Sequence, residues 1–222
     1  MNKIISIKEA IKFIKSGSTV MINGFMGVKN PDNLIDEIIS AKVDNLTVIA
    51  NDTAVPGKGI GKLISHKRIN KLYSSHIGLN QETSSQMNSG ELEVELIPQG
   101  TLVERIRCAG SGIGGFLTAT GIGTMVEDGK QKINIDSKDY LLELPLKADI
   151  ALIKGTIVDK LGNVFYRGTA KNFSLVMAMA ADIVIVEAER LVEVGELDPE
   201  SIMTPSLFVD YIVVGGKENE SN

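Results

Sequence analysis

The sequence predicts an α/β fold of three layers, α/β/α, with helices on both faces of a mainly parallel sheet. Three observations carry this expectation. Short apolar runs at residues 19–22, 46–50, 71–77 and 92–97 alternate with stretches of helical spacing, the pattern of successive βαβ units. Start and stop signals bound those helices, as in Ser6 with Glu9, Asn30-Pro31 and Ser89-Gly90. Finally, the unusual loops at 24–30, 51–53 and 98–100 all follow strands. In an open parallel sheet that places them together at the carboxyl edge, where ligands bind.

From the amino terminus, Ser6 and Glu9 stand at capping-box spacing, so hydroxyl and carboxylate each satisfy a free backbone donor. Ile7, Ala10, Ile11 and Ile14 share one helical face, and Gly17 stops the helix. Residues 19–22 read as a buried strand leading into Asn23-Gly24-Phe25-Met26-Gly27-Val28-Lys29-Asn30. Asn30 before Pro31 reads as an N-cap with proline at the first helical position. It opens a helix over 31–41 with Leu34, Ile35, Ile38 and Ile39 on one side.

The second strand, 46–50, ends at Asn51-Asp52-Thr53, and 57–66 is a loop entering a helix. Strand 71–77, a weaker helix over 81–88 and strand 92–97 follow, the last running into Pro98-Gln99-Gly100. Residues 132–135 and 140–144 read as a hairpin about 136–139. Later strands fall at 149–154, 156–158, 164–166, 183–186 and 208–214, with a small-residue helix over 172–181. Residues 1–215 make a single domain and 216–222 a polar tail.

One stretch stands apart. Between 98 and 124, a helical pattern over 101–107 is followed by glycines at 110, 112, 114, 115, 121 and 123. Such density suits an ordered loop close to a ligand or another backbone, or else a flexible linker. The interleaved Ile113, Phe116, Leu117 and Ile122 favour the ordered loop, part of a site in which Gln99 carries the chemistry and the glycines from 110 to 123 permit close packing against another backbone.

Composition narrows the function. With 222 residues, 43% apolar and 23% charged, the chain is an ordinary globular one. A formal charge of -5 without a basic run speaks against nucleic acid, and polyanionic ligands would need a partner's cations. Cys108 is the single cysteine, which fits a reducing compartment. Residues 1–15 alternate Ile and Lys without an apolar block, unlike a secretory signal. The run at 175–186 is broken by Asp182 and too short to span a bilayer. The expectation is a cytoplasmic protein with no membrane partner.

Neither a P-loop nor a strand-led dinucleotide fingerprint is present. The turn at 24–30 offers amides ahead of a helix, suited to an anion or an oxyanion; a plain βα connection would look the same. Gln99, between proline and glycine, can donate to a carbonyl oxygen without bringing charge, or serve as a solvated turn residue. His66, His76 and Cys108 read as packed or solvated, and no metal-ligand spacing occurs. The chain thus offers oxyanion donors without a nucleophile, and a partner would complete the site.

These residues carry a family likeness. Asn23-Gly24-Phe25, Asn51-Asp52-Thr53, residues 59–64, 98–107 and 141–149, then Glu196 to Glu200 and Thr204-Pro205, resemble the alpha subunit of the glutamate-type CoA-transferases. The resemblance covers nearly the whole chain and is most specific around Gln99. It implies the NagB/RpiA/CoA-transferase fold, a beta-subunit partner, an α2β2 assembly, and coenzyme A as a substrate with no tightly bound cofactor. It further implies ping-pong transfer of CoA between an acyl-CoA such as acetoacetyl-CoA and a short-chain carboxylate such as acetate or butyrate. A beta-subunit glutamate would form the glutamyl-CoA thioester.

By the same resemblance, Gln99 and Asn51 are the catalytic residues and Gly24, Phe25, Met26, Gly27, Val28, Lys29 and Asn30 the CoA-contacting loop. Glu193-Val194-Gly195 imitates a nucleophile motif but falls in a late alpha-subunit segment. Asn23, Lys29 and Ser206 stand where the family has glycine. Lys29 would suit a CoA phosphate, a substrate carboxylate or solvent. Other readings are a non-catalytic acyl-CoA-binding module and a sugar-phosphate isomerase, the latter lacking a phosphate loop and its own acid and base.

Overall fold

Neighbouring residues of a short central strand feed two separate cores. Val20 and Ile22 pack into one, and Met21 into the other, because strand side chains alternate between faces. That strand is β1 (Thr19–Ile22) of a computed structural model describing residues 2–215. The other strands are β2 (Leu46–Asp52), β3 (Ile69–His76), β4 (Glu93–Leu96), β5 (Phe116–Thr118), β6 (Lys132–Ile135), β7 (Lys138–Glu143), β8 (Ala148–Asp159), β9 (Val164–Phe165), β10 (Ala181–Val192) and β11 (Tyr211–Val214). The α-helices are α1 (Ile7–Ala10), α2 (Asp32–Ser40), α3 (Gly61–Ser65), α4 (Gln81–Ser89), α5 (Gln99–Gly110) and α6 (Ser174–Met179).

The main sheet runs β11-β10-β8-β1-β2-β3-β4, with short β9 beside β8. All pairings along the path are parallel; only β9 is antiparallel. The order reverses at β1, so the crevice of a doubly wound sheet opens there. Leu34, Ile35 and Ile38 of α2 and Leu63 and Ile64 of α3 cover one face. Leu102 and Ile106 of α5 with Met177 and Ala178 of α6 cover the other. Each fully buried side chain of this size contributes about 2 kcal/mol. The three layers are those the sequence predicts.

Local signals hold where the partners are local. Ser6 and Glu9 form the capping box, although the helix tightens into a 3-10 turn over Ile11–Phe13. Asn80 caps α4, accepting from Glu82 N and Thr83 N, and Gly90 closes it in the left-handed region.

Four expectations need correction. Asn30 does not cap α2; its side chain turns back and donates to Asn23 O at 2.9 Å. The first turn is served instead by Glu187 of β10, whose Oε2 accepts from Leu34 N (3.0 Å) and whose Oε1 accepts from Asn33 Nδ2 (2.9 Å). Lys154 of β8 also donates to Glu187, at 2.8 Å, both side chains being buried.

Second, Pro98-Gln99-Gly100 is not a free turn: α5 starts at Gln99 and includes Gly100, because Pro98 fixes the entry and, lacking an N–H, leaves no donor there to satisfy. Third, the glycine stretch does not build the cleft described below. Phe116–Thr118 becomes a strand of a separate antiparallel sheet, β5-β7-β6. Gly110 lets α5 approach α6, since a Cβ there would lie 2.6 Å from Met179 Cβ. Fourth, 149–154 and 156–158 are one twelve-residue strand, while β11 begins only at Tyr211 after a 3-10 turn over Ser206–Phe208. The polar tail at 216–222 lies outside the described residues.

Candidate active site at the carboxyl edge of the sheet

The loops after β1, β2 and β3 and the start of α5 enclose an open cleft of about 400 Å³. Phe25, Met26, Asn51, Asp52, Ser75, His76, Leu79 and Gln99 line it. Of the nine residues expected at the site, Phe25, Met26, Asn51 and Gln99 therefore meet there. Asp52, Ser75, His76 and Leu79 are additions.

Gln99 projects from the first position of α5 and remains solvent-exposed, while Asn51 and Asp52 are 3% and 4% exposed. Gln99 Nε2 donates to Asn51 Oδ1 at 2.6 Å, and Asn51 Nδ2 donates to Asp52 Oδ2 at 2.9 Å. Asp52 also accepts from Met26 N (3.0 Å, Oδ2) and Ala54 N (2.7 Å, Oδ1). A carboxylate so engaged is stabilised as an acceptor and is a poor nucleophile. Ser75 Oγ donates to Asn51 O at 2.7 Å, which spends the hydroxyl that lines the cleft. What the lining presents is an amide donor held by a buried acceptor network.

The loop at 24–30 is a tight turn in which Phe25 and Val28 exchange backbone hydrogen bonds of 3.1 and 2.9 Å. Met26 and Lys29 take positive φ of 52° and 59°, so the bend is set by backbone strain as well as by glycine. Gly24 is needed for space: a Cβ would stand 1.9 Å from Asn30 Nδ2. Gly59 meets the same side chain from the other side, at 2.2 Å from Oδ1. Asn30 is thus wedged between two loops, with Oδ1 buried and unpartnered.

Gly24, Gly27, Val28, Lys29 and Asn30 do not line the cleft. Lys29 is not a solvated cation, because its Nζ pairs with Glu189 at 2.7 Å. Asn23 is buried; it donates to Ser174 Oγ at 2.7 Å and accepts from Lys154 N at 2.9 Å, tying β1 to β8 and α6. Ser206 N donates to Asn163 Oδ1 at 2.9 Å. Glu193 is exposed and paired with Lys160, away from the cleft.

Fold and cleft together define a doubly wound α/β chain that presents an amide donor at its switch-point edge. This chain belongs to the coenzyme A transferase family, whose sequence pattern matches residues 4–215. It is 55% identical over 212 residues to the acetoacetyl-CoA:acetate/butyrate CoA transferase alpha subunit of Clostridium acetobutylicum, covering 96% of this chain and 97% of the relative. It is 50% identical over 212 residues to the acetate CoA-transferase subunit alpha of Escherichia coli K12, covering 96% of each.

Among solved structures, an acyl-CoA transferase (YdiF) from E. coli O157:H7, crystallised as a thioester complex with CoA, superposes with a TM-score of 0.83 at 23% identity. The match takes in 96% of this chain and 50% of that one, so the chain spans about half its length. Glutaconate coenzyme A-transferase from Acidaminococcus fermentans gives 0.83 at 19% identity, over 96% and 75% of the two chains. At such identity these structures speak for the fold.

Proposed function

We propose that the chain is the alpha subunit of a heteromeric CoA-transferase. It would move CoA between acetoacetyl-CoA and acetate or butyrate, by a ping-pong route through a glutamyl-CoA thioester on the beta subunit. The observation that carries this reading is the amide of Gln99, held at a cleft whose own carboxylate and hydroxyl are already engaged. A carbonyl gaining negative charge finds a donor there, and in this reading the attacking group is a carboxylate from the partner chain, His76 being the one further titratable side chain in the lining.

In this reading the partner's glutamate attacks the thioester carbonyl and expels CoA as its thiolate, leaving a mixed anhydride. The thiolate then attacks the glutamyl carbonyl and releases the first carboxylate. An incoming carboxylate reverses both steps. Gln99 donates to the oxygen that carries charge in each tetrahedral stage, a role worth tenfold to a thousandfold in rate. The turn at 24–30 contacts CoA through Phe25 and Met26, the two members at the cleft. A CoA phosphate reaching Lys29 would have to displace Glu189.

Phe25, Met26 and Leu79 supply an apolar wall, and among the described residues no Lys or Arg lines the cleft. That lining suits a short monocarboxylate better than a second carboxylate group. No helix of the described residues is long and apolar enough to cross a membrane. Cys108 is buried and unpaired, which fits the reducing cytoplasm we assign to the enzyme; the α2β2 assembly is proposed on family likeness alone.

Co-expression with a family beta subunit tests the reading. Purified together, the two chains should transfer CoA from acetoacetyl-CoA to acetate and butyrate, with succinate much poorer, and neither chain alone should do so. Full activity of the isolated chain would refute the shared site. CoA binding without transfer in any pairing would favour a binding module.

A further inference from the structure

Asp52 lies beneath the cleft with both oxygens turned to backbone amides, Met26 N on Oδ2 and Ala54 N on Oδ1. Backbone N–H groups only donate, so both carboxylate oxygens act as acceptors. The Asn51 atom facing Oδ2, at 2.9 Å, must then be the NH2 group. This settles an assignment that an amide's shape alone leaves open. With Nδ2 committed to Asp52, Asn51 turns Oδ1 to Gln99, which must answer with Nε2, at 2.6 Å. Neither side chain can turn over without setting donor against donor or acceptor against acceptor.

The consequence reaches the substrate. An NH2 group has two protons, and Gln99 spends one on Asn51, keeping the other for the cleft. Were Gln99 turned over, a lone pair of Oε1 would occupy that place and repel the oxygen it should attract. We infer that Asp52 is the positioning residue that sets, through Asn51, which atom of Gln99 faces the substrate carbonyl. This rests on the transferase reading and specifies how its amide donor is kept in the productive orientation. Asp52 spends both oxygens on protein donors and acts through two amides.

The same carboxylate holds the amide of Met26 in the turn at 24–30, so a loss on mutating it has two sources. An exchange of side chains separates them. Asp52→Asn keeps the shape but no longer dictates the orientation of Asn51. Adding Asn51→Asp places at 51 a group with no N–H to turn, which accepts from Gln99 either way round. It does nothing to restore a carboxylate opposite Met26 N. A purely structural role for Asp52 therefore predicts no rescue, whereas the orienting role predicts it.

In the complex with the beta subunit, Asp52→Asn should lower kcat at least tenfold, and Asn51→Asp/Asp52→Asn should recover about threefold or more of that loss without reaching the parent, because Asn51 itself lines the cleft. Nitrogen-15 spectra of the full chain give a readout independent of turnover. The side-chain amide of Gln99, assigned by its loss in Gln99→Ala, should show one hydrogen-bonded proton in the parent. That shift should disappear in Asp52→Asn and return in the exchanged pair. An unchanged Gln99 signal in Asp52→Asn, or an exchanged pair no better than the single variant, would overturn the inference. A parent complex that is inactive while the spectra behave as described would instead count against the transferase reading alone.

Discussion

Gln99 spends one amide proton inside the protein and holds the other at the cleft. Gln99→Ala should therefore lower kcat at least tenfold in the assembled enzyme. Because the side chain is exposed and outside the core, the thermal midpoint should stay within a few degrees. A circular-dichroism melt beside the kinetic assay checks both. Gln99 and Asn51 meet at the cleft, as its place at a strand end suggests for Gln99 and family likeness for Asn51. The part played by Asp52 was not legible in the sequence. Adjacent strand residues point to opposite faces, so nothing local says that Asn51 and Asp52 bond to each other. They do so only where β2 ends and Ala54 bends the chain with φ of 53°.

Helices and turns show the same division between near and distant partners. The capping box of Ser6 and Glu9 was readable, since both members lie within one turn. The run of glycines has no single reason: Gly112, Gly114 and Gly123 have open space at the position of a Cβ, while Gly110, Gly115 and Gly121 meet neighbouring atoms. Gly100 has open space around the position of a Cβ, whereas Gly110 faces Met179. Opposite stability effects follow within one helix. Gly100→Ala should stabilise by up to about 1 kcal/mol through helix propensity. Gly110→Ala should destabilise by about 1–3 kcal/mol, as α5 is pushed from α6. Urea titrations of the two variants decide it; equal effects would contradict this packing of the helices.

At the scale of the molecule, the alternation of strands and helices made the three layers legible, but strand order was not. β1 pairs with β8 across a separation of 130 residues, and no local pattern announces such a neighbour. The later half also contributes a buried phenol, Tyr166, bonded to Thr204 at 2.7 Å. Burial pushes its pKa well above the ordinary tyrosine value of about 10, against the smaller opposing effect of hydrogen bonds to Thr204 and Ser174. The fold thus favours the neutral phenol. That preference is fully felt below about pH 10 and is lost progressively as pH rises beyond it, by up to about 1.4 kcal/mol per unit. Tyr166→Phe should flatten the alkaline decline in stability, as measured by urea unfolding between pH 9 and about 11; identical slopes would show that Tyr166 takes no part.

Glu187 has one further consequence, for the order in which the protein can be finished. The amide of Leu34 waits for a carboxylate 153 residues downstream, and β1 has no second neighbour until β8 follows it. A nascent chain that has emerged only through β4 carries the turn at 24–30 with the helix behind it uncapped and one flank of β1 open. The last-made third of the polypeptide is what braces the first-made turn, so a premature stop there removes the support of residues translated long before it.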